Sequence, residues 1–157
     1  MALILNIETA TKTCSVNLAR KGSVLEIREI TSENYIHGEK LHVLINRLFE
    51  SAKIPMSNLD AVAVSSGPGS FTGLRIGVSA AKGIAFALEI PLISMRAIDI
   101  MIQQYSLIPN NSKTIYFPMI DARREEVYTM GFDANKKPIT EIDCPVINEQ
   151  FLSKYDY

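Results

Sequence analysis

The residue types and spacings that could do chemistry lie in three short stretches. The first is Glu8-Thr9-Ala10-Thr11, which closes an apolar run. A carboxylate and hydroxyls in a turn between strands can hold a metal-bound phosphate, or can be an ordinary polar turn. The second is Ser65-Ser66-Gly67-Pro68-Gly69-Ser70-Phe71-Thr72-Gly73-Leu74-Arg75-Ile76-Gly77, which follows the apolar run Ala61-Val62-Ala63-Val64. A glycine-rich turn between a strand and a helix offers phosphate its backbone N–H groups and the positive end of the helix dipole. Gly67, Gly69 and Gly73 give G-x-G-x-x-x-G, which is neither the dinucleotide spacing nor a P-loop, since no lysine follows Gly73. The bland reading of the same run is a tight turn with helix-packing glycines. The third stretch is Asp121-Ala122-Arg123-Arg124-Glu125-Glu126. Arg123 and Arg124 could contact phosphate or RNA, or could pair with Glu125 and Glu126 on a solvated edge.

Other chemistries find less support. His37 and His42, the two histidines, are five residues apart and do not share a helical face, so surface positions are expected for both and no metal site is nominated. Ser70 lacks a nucleophile-elbow frame. Cys14 and Cys144 have neither metal spacing nor a disulfide framework, which suits a reducing cytosol.

The elements that must position these residues follow from hydrophobic period. Leu3 to Ile7 reads as a buried strand. Residues 13–19 alternate, with Cys14, Val16 and Leu18 on one face, and residues 24–30 form a third strand, giving a β-meander. Leu41, Leu44, Ile45, Leu48, Phe49 and Ala52 recur with helical period over residues 38–52, and Pro55 closes that helix. A fourth strand, the glycine loop, a helix reaching Leu88, a strand over residues 91–95 and a helix over residues 96–105 follow. Pro109-Asn110-Asn111-Ser112 reads as a polar linker. Beyond it, strands are expected over residues 114–121 and 127–132, with a last helix starting near Asn148. Leu5-Asn6-Ile7-Glu8 and Pro118-Met119-Ile120-Asp121 each end a strand in a carboxylate, which suggests an internal duplication. The chain therefore divides into an α/β domain over residues 1–110 and the opening of a second over residues 111–157.

Composition bounds the function. The 157 residues suffice for a proper core, and 47% are hydrophobic against 21% charged, a globular balance. A net charge of −1 supplies no basic field for nucleic acid or anionic membrane. No segment is expected to reach transmembrane length, and the N-terminus lacks the basic start of a signal peptide. Gly73, Gly77, Ala80, Ala81 and Ile84 form a small-residue stripe along the second helix. It can pack within its own fold or admit a partner helix closely.

The run from Ser66 to Gly77 strongly resembles the bacterial TsaB (YeaZ) family. Ile4-Leu5-Asn6-Ile7-Glu8-Thr9 and Asp121-Ala122-Arg123-Arg124-Glu125-Glu126-Val127-Tyr128 match the same family in order, so the resemblance spans nearly the whole chain. It implies an actin, hexokinase and heat-shock-chaperone type (ribonuclease H-like) α/β fold with two duplicated domains. It also implies a cytoplasmic role in making threonylcarbamoyladenosine in tRNA. There the subunit would bind a catalytic, TsaD-like paralogue joined by a small TsaE-like ATPase, with tRNA engaged through the complex and no membrane involved. The catalytic relative carries an H-x-x-x-H metal pair, and Ala97 and Met101 stand where those histidines should be. Neither can hold that metal, so the resemblance implies a non-catalytic subunit and argues against a glycoprotease. Two departures stand out. Glu8 occupies a position where aspartate is usual, and the chain is shorter than typical members, with most of the second domain expected to be missing.

The expected docking surface is therefore the two helices over residues 38–52 and 72–88, through Leu41, Ile45, Leu48, Gly73, Gly77, Ala80, Ala81 and Ile84. The same surface would homodimerise without a partner. No cofactor is required on this reading. The alternative is an ATPase or phosphotransferase holding Mg–ATP or ADP between Glu8, Thr9, the loop Gly67, Pro68 and Gly69, and Asp121, and a glycoprotease-like metallopeptidase comes third.

Overall fold

The computed structural model describes residues 2–33, 36–104 and 114–154. Those residues divide into two compact units, Met1–Met95 and Arg96–Tyr157. The expected linker Pro109 to Ser112 lies outside the described residues.

Unit 1 is built from period-two strands. In β1 (Leu3–Glu8), Leu3, Leu5 and Ile7 point to one face and are buried; in β2 (Thr13–Arg20), Cys14, Val16 and Leu18 do the same. The strands pair antiparallel, with Leu5 opposite Leu18 and Ile7 opposite Val16, so the inward residues stack in register. β3 (Ser23–Thr31) pairs with β2 after a turn through Lys21 and Gly22, both at positive φ. The expected meander is present. α1 (His37–Ala52) lays Leu41, Leu44, Ile45, Leu48 and Phe49 into the core and ends at Lys53 in the left-handed region, ahead of Pro55. β4 (Ala61–Ser65) is buried at every residue and runs parallel to β1. That burial explains its unbroken apolar sequence.

α2 (Phe71–Leu88) leads from β4 to β5 (Leu92–Met95), which pairs parallel to β4. The five strands take the order β3-β2-β1-β4-β5. One cluster joins the inward residues of β1, β2 and β4 to α1 and to Ala80, Ala81 and Ala85 of α2. The small residues of α2 thus let it sit close on the sheet. The helix begins at Phe71, so Gly73 and Gly77 are helical, as the expected stripe along the second helix requires. α2 also corrects the expectation about membrane spans: at 18 residues and mean hydropathy 1.2 it is long and apolar enough to cross a bilayer. Its buried small residues are instead packed into the core of unit 1.

Unit 2 holds α3 (Ala97–Gln103), the hairpin β6 (Met119–Arg123) and β7 (Glu126–Thr129), and α4 (Glu149–Ser153). The expected strand over residues 114–121 is shorter and shifted toward Arg123. At the hairpin tip Arg123, Arg124 and Glu125 all have φ between 54° and 71°. Left-handed backbone disfavours side chains, so the tip is strained by its own sequence.

Two measurements check the packing. The Cys14 thiol is fully buried and pushed up to about 11 by desolvation, so a thiol reagent at pH 8 is expected to label Cys144 and leave Cys14 until the protein unfolds. A Cβ at Gly77 would collide with Thr9 Oγ1, whereas one at Gly83 meets nothing within 4 Å. Gly77→Ala is therefore expected to lower stability by about 2 kcal/mol or more, and Gly83→Ala to raise it by up to about 1 kcal/mol, both read by urea denaturation.

Candidate functional site

The glycine loop is closed by the first turn of the chain. Its Gly67–Pro68 peptide is cis, and Gly67 has φ 102° and Gly69 φ 152°. A Cβ at Gly69 would collide with the Ala10 carbonyl oxygen, and one at Gly73 with the Thr9 carbonyl. Ser70 donates its N–H to Ala10 O at 2.7 Å, and its Oγ caps α2 by accepting the Gly73 N–H at 3.2 Å. Ser66 N–H is held by Met95 O at 2.8 Å. Gly69 and Gly73 are thus needed for contact with the Thr9–Ala10 turn, and three N–H groups of a would-be phosphate cradle already have protein acceptors.

Glu8 is drawn into the same lock. Its Oε1 accepts the Ala10 N–H at 2.7 Å and the Ser65 Oγ–H at 2.8 Å, tying the end of β1 to the end of β4. Thr9 is fully buried, and its Oγ1 has no hydrogen-bond partner among the described residues. The structure therefore brings Glu8, Thr9, Gly67, Pro68 and Gly69 into one neighbourhood. Asp121 belongs to unit 2. There its Oδ1 accepts the Arg123 N–H at 2.8 Å, two residues on, as Glu8 does for Ala10. This shared local turn is the part of the suspected repeat that the two hairpins have in common.

The stripe nominated for docking looks inward. Leu41, Ile45 and Leu48 are in the core, and Gly73, Gly77, Ala80 and Ala81 are buried. Their periodicity marks the side of each helix that packs on the sheet. Docking through those side chains is corrected accordingly; only Ala80 and the half-buried Ile84 also reach an outer surface. That surface is an open groove of about 670 Å³, lined by Gly38 and His42 of α1 and by Phe71, Arg75, Ile76, Ser79, Ala80, Gly83 and Ile84 among others of α2. Phe71 is 74% and Phe86 88% exposed. They lie fifteen residues apart on α2, close to four helical turns, so they share one side. Between them on that side stand the exposed Arg75, Ser79 and Lys82, with Gly83 beside them. Arg75 lies over the Phe71 ring at 5.3 Å from its centroid. Phe71, Arg75, Gly83 and Phe86 were missed as a face by the sequence reading. The available signal was large apolar residues on the side of α2 opposite its small stripe.

The histidines separate. His42 is exposed on the groove, while His37, expected on the surface, is fully buried at the start of α1. In unit 2, Arg123 and Arg124 are exposed at the hairpin tip, and no ion pair found among the described residues involves either. Ala97 is buried at the start of α3, and Met101 is half-buried one turn on. The Ala97 methyl group has no donor atom, and the Met101 thioether is a soft donor unlike the imidazoles of an H-x-x-x-H pair.

Comparison with known proteins adds to this geometry. The family model described as TsaD, tRNA N6-adenosine threonylcarbamoyltransferase, matches residues 29–152. The chain is 32% identical to the tRNA threonylcarbamoyladenosine biosynthesis protein TsaB of Escherichia coli (strain K12), over 87% of this chain and 57% of that protein. It is 31% identical to the protein of the same name from Haemophilus influenzae, over 80% of this chain and 51% of the relative. It therefore spans little more than half the length of these relatives. The solved structure of YeaZ from Pseudomonas aeruginosa superimposes with a TM-score of 0.79 at 28% identity, covering 93% of this chain and 68% of that one. The expected actin-like α/β fold holds.

The Glu8 lock predicts a coupled pair. Glu8→Ala is expected to cost about 1–3 kcal/mol and Ser65→Ala about 1 kcal/mol. The double variant should be no worse than Glu8→Ala by more than about 0.5 kcal/mol, as a denaturation double-mutant cycle would measure.

Proposed function

Because the chain belongs to the TsaB (YeaZ) branch of the tRNA N6-adenosine threonylcarbamoyltransferase family, we propose that it is a non-catalytic subunit for threonylcarbamoyladenosine formation in tRNA. In this reading it works in the cytoplasm by docking a TsaD-like catalytic paralogue, with a TsaE-like ATPase joining the assembly. The observation that carries it is the outer face of α1 and α2: an open apolar groove lined by the exposed Phe71, with the exposed Phe86 at the adjoining cavity further along α2. Exposed aromatics around a concave surface are the usual anchors of a protein interface. A second copy of the chain occupies the same face when the paralogue is absent.

Catalysis is assigned to the partner. Ala97 and Met101 offer no ligand set for the metal of the related enzymes, so no step through that metal is derived for this chain. Nucleotide is not required on this reading, since the glycine loop is filled by Thr9 and Ala10 and the Glu8 carboxylate is engaged by Ser65 and Ala10. Arg123 and Arg124 remain the proposed contact with tRNA phosphate inside the complex.

Size-exclusion chromatography with the H-x-x-x-H paralogue of the same organism tests the assignment. A 1:1 complex is expected, and Phe71→Ala with Phe86→Ala should weaken it at least about tenfold without loss of thermal stability. Absence of any complex, or tight Mg–ATP binding with turnover by the isolated chain in calorimetry, would point instead to the ATPase reading.

A further inference from the structure

The sheet of unit 1 ends on β3, and no strand among the described residues pairs with its outer edge. An edge strand presents a row of backbone N–H and C=O groups to any extended chain that can meet them. β3 is nine residues long and contains neither lysine nor proline, the residues that commonly blunt such an edge. Three of its large apolar side chains, Val24, Leu25 and Ile27, are exposed.

The strand is close to self-complementary about Ile27. Laid antiparallel on a copy of itself with Ile27 facing Ile27, Ser23 faces Thr31 and Val24 faces Ile30. Glu26 then faces Arg28 on both sides of the centre. Hydroxyl, β-branched and opposite-charge pairs are the favourable kinds across strands. Only Leu25 and Glu29 are mismatched. Moving the centre by one residue sets Glu26 against Glu26 or Arg28 against Arg28, and like charges directly opposite repel. The charges thus choose Ile27 over either neighbouring centre.

The local geometry suits this pairing. The bulge of β3 falls at Leu25, which has no partner on β2, so the strand is regular from Glu26 onward. The three central pairs lie in that regular part. Glu26 and Arg28 form an ion pair and share Ser51 of α1. Arg28 Nη2 donates to Ser51 Oγ at 2.6 Å, and Ser51 Oγ donates to Glu26 Oε1 at 3.1 Å. Arg28 Nη1 also donates to the Ile27 carbonyl at 2.8 Å. A guanidinium has five N–H donors and a carboxylate about four acceptor positions. Each can therefore add the second copy's partner without giving up its own.

We infer that β3 pairs with β3 of a second copy of this chain in an antiparallel, two-fold ladder centred on Ile27. The contact is isologous, so it closes at two copies. It joins the two five-stranded sheets edge to edge. Its residues are separate from Phe71, Arg75 and Phe86 of α2, and it does not rest on the docking function proposed above.

The test is sedimentation velocity of the full chain at about 100 µM. Phe71→Ala and Phe86→Ala are included in every sample, so that self-association through α1 and α2 does not enter the reading. This parent should dimerise. Glu26→Arg and Arg28→Glu each place two like-charge pairs beside the axis, and each should weaken association at least about tenfold. Mixed in equal amounts, the two variants should associate again, because each chain then meets the opposite sign on the other. The pair within each chain stays broken in that mixture, so a merely structural role for Glu26 and Arg28 cannot produce the rescue. Ile27→Lys, at an exposed position on the axis, should also be monomeric. Circular dichroism checks that each variant is folded. A monomeric parent, a mixture that stays monomeric, or any folded single variant that dimerises as tightly as the parent overturns the inference.

Discussion

The contact on which the rest of unit 1 depends is the burial of the Thr9–Ala10 turn against Gly69, Gly73 and Gly77. The Thr9 and Ala10 carbonyls and the Thr9 side chain occupy the volume that three Cβ atoms would need. This fixes how the end of β1 meets the start of α2. It places Glu8 where one oxygen can accept from both Ala10 and Ser65, and it sets the N-cap at Ser70. Once the first turn of α2 is pinned, its Ala80, Ala81 and Ala85 fall on the core. Its other side, with Phe71 and Phe86, is turned away from the sheet.

A loop that resembles a phosphate cradle is thereby converted into a structural lock. Phosphate binding at a helix N-terminus needs backbone N–H groups that are open and a void in front of them. Here the void is filled by the protein's own turn, and N–H groups of Ser66 and Ser70 are hydrogen bonded to carbonyls. The strain this imposes is carried by residues that tolerate it, Gly67 and Gly69. At the hairpin tip of unit 2 it is carried by residues that do not, Arg123, Arg124 and Glu125. The two hairpins nevertheless share one device, a strand-ending carboxylate accepting the N–H two residues on.

Much of the fold was legible in the residues. Cys14, Val16 and Leu18 alternate because one face of β2 is buried, and Leu41, Ile45 and Leu48 recur because one face of α1 is. Both patterns follow from simple periods of two and 3.6. The same logic misled the choice of docking residues. A hydrophobic or small-residue stripe records only that a helix side is buried, and the burying surface here is the protein's own sheet. His37 was misread for a related reason: at the very start of α1 it has too few helical neighbours to show which side it joins, and it is buried.

The sequence by itself determined the element order, the α/β class, the family and the unsuitability of Ala97 and Met101 as metal ligands. Each of these is a matter of residue type, period or motif, carried locally along the chain. Only the tertiary structure decided what the glycines are for and which side of α2 is free. Those answers depend on Thr9 and Ala10 meeting Gly69, Gly73 and Gly77 across some sixty residues of sequence, a close approach that no local pattern encodes. The same approach leaves Phe71, Arg75 and Phe86 facing solvent, on a surface defined by what does not pack against it.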